Sequence, residues 1–196
     1  MKILVLAAHP NIEQSRVNKR WIAELRKYPD EITVQELYPT YPDHVIDVKN
    51  EQNLLAQHER VVLQFPIQWY SMPALLKQWL DDVVTTSWLF STGGKAVAGT
   101  ELALALSIGG DEASYQSGGL IGYTISELVR PLQVFANQTG MIFLPHYKFY
   151  GAIKATDEQI EHSARDYLTH ITSPDLNPQV VRKRMLDAMM KTGSAQ

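Results

Sequence analysis

Short, uninterrupted apolar runs in this chain give way to longer segments whose apolar residues recur at helical spacing. That alternation constrains the fold more than any other feature. Ile3-Leu-Val-Leu-Ala7 contains no polar residue, as a strand buried on both faces of a parallel sheet requires. From Ser15 the period changes, with Val17, Trp21, Ile22 and Leu25 at helical spacing and charges between them. Ile32–Leu37 alternates and reads as a second, more exposed strand. Val61–Phe65 and Leu102–Ser107 read as the third and fourth strands, and Met141–Leu144 as the start of a fifth. Tyr38–Asp43 is a loop punctuated by prolines. Helical patterns cover 51–59, 73–84 and 123–138, the last kinked or divided by Pro131. Two more follow at 157–171, where Thr156 is placed to cap, and at 177–191. Strands separated by helices predict an α/β sheet of mostly parallel order, in one domain over 1–196 with a helical extension from about 174.

Composition then removes several classes of function. The chain has no cysteine, so disulfides, thiol nucleophiles and thiolate metal sites are excluded, and redox chemistry must come from a cofactor. A formal net charge of -3 argues against nucleic acid as the main partner. No segment has the apolar length to span a bilayer, and the N-terminus reads as a core strand, not a signal peptide. A cytoplasmic protein is expected. The six histidines show no metal-ligand spacing, and His58, His162 and His170, in helical stretches, read as surface residues. No Gly-x-Gly-x-x-Gly follows the first strand, Gly93-Gly-Lys95 lacks the spacing of a P-loop, and no Gly-x-Ser-x-Gly elbow occurs.

Ligands of such sheets bind beyond the carboxyl ends of the strands, and three loops there are chemically unusual. The first, Ala8 to Asn18, joins a buried strand to a helix N-terminus and suits a phosphate. Ser15 and Asn18 add short donors, and His9 and Arg16 charge-assisted ones; the bland reading is a capping serine and a satisfied loop histidine. The second, Pro66-Ile-Gln-Trp-Tyr70, offers backbone groups, an amide and two aromatic walls to a planar heterocycle. Taken alone, Trp69 and Tyr70 read more readily as packing or subunit-contact residues, since aromatics more often pack than wall a cofactor. The third, Ser107-Ile-Gly-Gly-Asp-Glu-Ala-Ser-Tyr115, permits close backbone approach at Gly109 and Gly110. A Gly-Gly pair by itself is an ordinary turn. The three together describe a phosphate site, a ring site and a close-approach site on one sheet edge.

These residues resemble the flavodoxin-like NAD(P)H:quinone oxidoreductases, and most of all the short bacterial branch that includes the ancillary oxidoreductase of the glutathione-gated potassium-efflux system. The likeness rests on His9-Pro10 with Ser15 and Asn18, on Gln64 to Trp79, and on Ser107-Ile-Gly-Gly110 with Glu112. It covers residues 1 to about 150 and the helix after it. The resemblance implies a flavodoxin-like three-layer sandwich with a five-stranded parallel sheet in the order 2-1-3-4-5. It also implies a homodimer holding FMN, or FAD, at His9, Ser15, Arg16, Val17, Asn18, Pro66, Ile67, Gln68, Trp69, Tyr70, Ser107, Ile108, Gly109 and Gly110. Tyr115 matches a family tyrosine that lies over the flavin and assists substrate reduction. The chain departs from the larger enzymes at Ile121, where a histidine is expected, and at Ser107-Ile108, where Thr-Thr is usual. Its short C-terminus favours FMN over FAD. The implied activity is two-electron hydride transfer from NAD(P)H to a quinone-like acceptor by ping-pong kinetics. The alternative is a regulatory flavoprotein subunit on a membrane potassium-efflux transporter, with the loop from Asp43 to Asp47 facing the partner.

Overall fold

The computed structural model describes residues 1–91 and 96–193, so the Gly93–Lys95 stretch and the last three residues lie outside the described set. Its strands are β1 (Ile3–Ala7), β2 (Ile32–Glu36), β3 (Arg60–Pro66), β4 (Glu101–Ser107), β5 (Ile142–Phe143) and β6 (Tyr147–Phe149). All pair in parallel, in the order β2-β1-β3-β4-β5, with β6 also beside β4. The helices are α1 (Arg16–Leu25), α2 (Leu37–Thr40), α3 (Val48–Ala56), α4 (Ala74–Val83), α5 (Thr86–Ser91), α6 (Ile125–Leu128), α7 (Arg130–Thr139), α8 (Asp157–Thr172) and α9 (Pro178–Gly193).

Side chains alternate across each strand, and this divides the core in two. Leu4, Leu6, Val61, Leu63, Phe65, Leu102, Leu104 and Leu106 pack against α3, α4 and α7. Ile3, Val5, Val62, Ala103 and Ala105 pack against α1 and α8. Small residues on β4 leave room for Trp21 of α1, whose indole N–H donates to the Ser163 hydroxyl of α8 at 2.9 Å. The same alternation puts Gln64 and Ser107 on the α1 face, beside the residues that become the site. The expected sheet and its order are present, with helices on both faces.

Three details differ from the sequence reading, and the expected division of the 123–138 segment is present. The helix expected over 51–59 is α3, shifted toward the N-terminus because the Asp47 carboxylate caps it, accepting from the Asn50 N–H at 3.0 Å. His58 therefore lies past the helix and is buried, with ring nitrogens 2.7 Å from the Leu54 carbonyl and 2.8 Å from the Thr33 hydroxyl. The Tyr38–Asp43 loop begins as the helical turn α2. The 123–138 segment is divided at Val129, and Pro131 falls in the first turn of α7, where its missing N–H has no helical partner. The fifth strand is interrupted: Leu102 pairs with Phe143 but Ala105 with Tyr147, three steps on β4 against four. That extra residue is a bulge at Leu144-Pro145-His146, where Pro145 lacks the N–H a continuous ladder would use.

Two buried polar clusters hold the frame. Glu51 of α3, fully buried, accepts from Gln35 at 2.7 Å, from the Tyr41 hydroxyl at 2.6 Å and from the Trp79 indole at 2.8 Å. It thereby ties α4, which starts just after the Trp69–Tyr70 loop, to the rest of the fold. At the opposite sheet edge Arg60 pairs with Glu101 and donates to the Ile171 and Ser173 carbonyls, fastening the end of α8. Among the described residues no helix is long and apolar enough to cross a membrane.

Candidate functional site

The carboxyl ends of β1, β3 and β4 open into a cavity of about 330 Å³. Nine expected residues line it: His9, Ser15, Arg16, Val17, Asn18, Pro66, Ile67, Ser107 and Gly109. Three others join them, Gln14, Ala152 and Ile153. The last two come from the loop after β6, a fourth loop that the sequence reading did not count. A glycine following a strand, Gly151 with φ +68°, was the available signal.

The floor is built by α1. Ser15 is its N-cap, its hydroxyl oxygen accepting the Asn18 N–H at 3.1 Å. The remaining first-turn N–H groups point out along the helix axis, where the helix dipole favours an anion. Capping and anion binding are therefore compatible roles for Ser15. The Asn18 amide crosses to β4 and donates to the Ser107 hydroxyl at 2.9 Å. His9 differs from the charged donor expected of it. Its Nδ1 accepts the Asn11 N–H at 3.1 Å, and burial holds its pKa below the ordinary histidine value. It is neutral near pH 7 and offers one N–H. Arg16 pairs with Asp157 of α8 at 2.6 Å, leaving its charge at the rim, shared with a carboxylate.

The Gln68–Ser71 segment closes on itself. Gln68 and Ser71 exchange backbone hydrogen bonds of 2.9 and 3.0 Å around Trp69 (φ +43°) and Tyr70 (φ +65°). Two consecutive positive φ values describe a primed turn, a conformation that favours Asn-Gly; here it carries an indole and a phenol. Trp69 is 92% exposed and Tyr70 43%, so neither fills the core. Trp88, on α5, packs partly against the core. The N–H groups of Trp69, Tyr70, Gly109 and Gly110 make no backbone hydrogen bond among the described residues.

Tyr115 lies across the β4 loop, buried, with Tyr150 6.2 Å away centroid to centroid. Burial, and then proximity to Tyr70, raise its pKa above the ordinary tyrosine value. A Cβ on Gly110 would stand 3.1 Å from the Tyr115 ring, and one on Gly109 2.9 Å from Ile153, so both glycines permit a close approach. Ile108 behaves differently from its expectation. Its side chain is in the core, and its N–H and carbonyl pair with Phe149 and Ala152. It shapes the loop without facing the cavity. Gln68, Trp69, Tyr70, Gly110 and Tyr115 stand outside the cavity lining.

Chemically, the cavity suits a phosphate and a polyol: hydroxyls, first-turn N–H groups and a neutral imidazole. The adjoining aromatic turn, free N–H groups and buried phenol suit a planar, electron-accepting ring.

The flavodoxin-like fold family matches residues 1–171. An uncharacterized NAD(P)H oxidoreductase, YrkL of Bacillus subtilis (strain 168), is 53% identical over 171 residues, covering 86% of this chain and 98% of that protein. The glutathione-regulated potassium-efflux system ancillary protein KefF of Citrobacter koseri is 36% identical, over 84% of this chain and 92% of its own. The structure of general stress protein 14 from Treponema denticola in complex with FMN superposes with a TM-score of 0.82 at 43% identity, covering 86% and 97% of the two chains. An NADPH-quinone reductase of P. pentosaceus gives 0.80 at 33% identity, covering 88% and 99%.

Proposed function

Because this chain belongs to the flavodoxin-like fold family, we propose that it is an FMN-dependent NAD(P)H oxidoreductase passing hydride to a quinone-like acceptor. One observation carries the reading: the hydroxyl-and-amide cavity stands on the same sheet edge as the aromatic turn and the buried phenol. The relatives described as an NAD(P)H oxidoreductase, an FMN complex and an NADPH-quinone reductase support it.

When bound, the flavin supplies the hydride chemistry; the protein supplies position and electrostatics. Ser15, Asn18 and the first turn of α1 would hold the phosphate, and Ser107, Gly109 and Ile67 would line the part of the cavity beside it. The N–H groups of Trp69, Tyr70, Gly109 and Gly110, which make no backbone hydrogen bond among the described residues, would be available to stabilise negative charge on a bound flavin, as preorganised dipoles do at an oxyanion. Trp69 and Tyr70 wall the space in which NAD(P)H and then the acceptor stack. Successive use of that space gives ping-pong kinetics. Tyr115, protonated through neutral pH, donates a hydrogen bond to the acceptor oxygen. The catalytic unit is a single domain with α9 appended, and it acts as a homodimer in the cytoplasm.

The deciding experiment is the visible absorption spectrum of purified protein, with identification of the cofactor released on denaturation. Flavin bands that bleach with NAD(P)H under argon and return with a quinone are expected, with FMN released. A protein that neither carries nor binds flavin overturns the reading.

The likeness to KefF favours a second reading, an ancillary subunit on a potassium-efflux transporter. The Asp43–Asp47 loop is its expected contact, with Val45 70% exposed at its centre. Under that reading efflux depends on the loop and survives loss of hydride transfer.

A further inference from the structure

Beneath the cavity floor lies a buried amide on β3. Gln64 is 1% exposed, and it is the one polar residue of the run Val61-Val-Leu-Gln-Phe65. Its Nε2 donates to the backbone carbonyl of Asn18 at 3.2 Å and to the Asn18 side-chain Oδ1 at 3.4 Å. Its own Oε1 is buried without a hydrogen-bond partner. The engaged end of the Gln64 amide is therefore its donor, and both of its hydrogen bonds go to Asn18.

We propose that Gln64 is a positioning residue that fixes the Asn18 amide so that the hydroxyl hydrogens of Ser15 and Ser107 both point into the cavity as donors. This rests on the flavin reading above and adds to it the device that sets the polarity of the phosphate and polyol site.

The chain of constraints runs from an atom that has no choice. A backbone carbonyl only accepts, so Gln64 must present its NH₂, not its oxygen, to Asn18. The same NH₂ lies against one end of the Asn18 side chain, and that end must then be the oxygen. The Asn18 Nδ2 is thereby turned the other way, where it donates to Ser107 Oγ at 2.9 Å and to Ser15 Oγ at 3.4 Å. Ser15 Oγ also receives the Asn18 backbone N–H at 3.1 Å. Both hydroxyl oxygens are occupied as acceptors by nitrogen donors. Their hydrogens have no acceptor on Asn18, and both residues line the cavity. Without Gln64 the Asn18 amide is free to flip, its oxygen then draws the Ser107 hydrogen inward, and the cavity loses a donor. Phosphate and polyol oxygens are acceptors, so donors facing the cavity are what such a ligand needs.

The test is FMN titration of the flavin-stripped protein by fluorescence quenching, with Gln64→Met in the native background and in the Ser15→Ala/Ser107→Ala background, and melting of each apoprotein. In the native background Gln64→Met is expected to weaken FMN binding about tenfold, the worth of one misdirected hydrogen bond. In the serine-less background it should weaken binding by less than about twofold, since the hydroxyls through which it acts are gone. Equal losses in the two backgrounds, or no loss in either, would overturn the proposal; the first outcome makes Gln64 a structural residue only. Should Gln64→Met not fold, Gln64→Asn, whose amide ends one carbon short of Asn18, carries the same comparison. A native protein that binds no FMN strikes instead at the flavin reading, so the two failures are distinct.

Discussion

Trp69 and Tyr70 hold left-handed backbone conformations that cost a residue with a side chain about 1–2 kcal/mol each, and they do so with their rings in solvent. Strain of this kind persists where surrounding structure imposes it and where the displayed groups have a use. The connection from β3 to α4 does not need those side chains to turn. Replacing the pair by the residues a primed turn favours, Trp69→Asn with Tyr70→Gly, is expected to stabilise the apoprotein by about 1 kcal/mol, read as a higher Tm. The same variant should weaken NAD(P)H and quinone turnover at least tenfold by removing the stacking walls. A lower Tm would mean the rings contribute to folding after all. Tyr115 tests the chemistry more directly. Burial raises its pKa above the ordinary value near 10, so its proton stays in place at neutral pH and somewhat above. Tyr115→Phe should slow quinone reduction about a hundredfold, evenly from pH 6 to 8, while flavin affinity holds. Stopped-flow traces of the two half-reactions measure this, and unchanged rates in both would remove Tyr115 from the mechanism.

The interrupted fifth strand has its own consequence for pH. The bulge turns the His146 ring against Phe143, 4.8 Å between centroids, with Nδ1 buried and unpartnered. Burial, with Lys148 and His170 nearby, pushes its pKa down to about 4. A histidine that resists protonation in the fold takes up its proton first in the unfolded chain. Stability therefore falls as pH drops from about 6.5 toward about 4, by up to about 3 kcal/mol for this residue. His9 and His170, also lowered chiefly by burial, act in the same direction. Melting curves from pH 7 to 5 should show a shallower decline for His146→Gln than for the native chain; parallel declines would clear His146. The sequence announced this strand by Met141–Leu144 but not its bulge, because the register is set by pairing with β4, which local residues do not encode. β1, β3 and β4 were legible because burial on two faces demands nearly continuous apolar runs, and β2 because a half-exposed strand alternates. The Ser15 cap and the Thr156 cap, a capping box with Gln159, were legible because capping is local. The contributions of Ala152 and Ile153 and the Gln64–Asn18–Ser107 chain were hidden because they join residues distant in sequence. The lone glutamine inside an apolar run was the visible trace of the second.

At the scale of the whole molecule, the loops at the sheet's carboxyl edge hold several exposed large apolar side chains. Trp69 is 92% exposed, Leu120 90% and Tyr123 60%, all on the loops that follow β3 and β4. A surface of this kind next to a ligand site suits an interface better than solvent. The expectation is that two 22.2 kDa chains sediment together at micromolar concentration. Leu120→Ser with Tyr123→Ser should shift the protein to the mass of one chain without changing its circular dichroism, because neither side chain takes part in the core. If the dimer closes the ring site, the same variant should lose most of its turnover. FMN would then bind more weakly while the phosphate cavity, built within one chain, still retains it. Sedimentation and FMN titration on the same preparation separate these effects. A native protein that sediments as one chain yet turns over normally would show that each protomer's site is complete, leaving the exposed aromatics to the substrate alone.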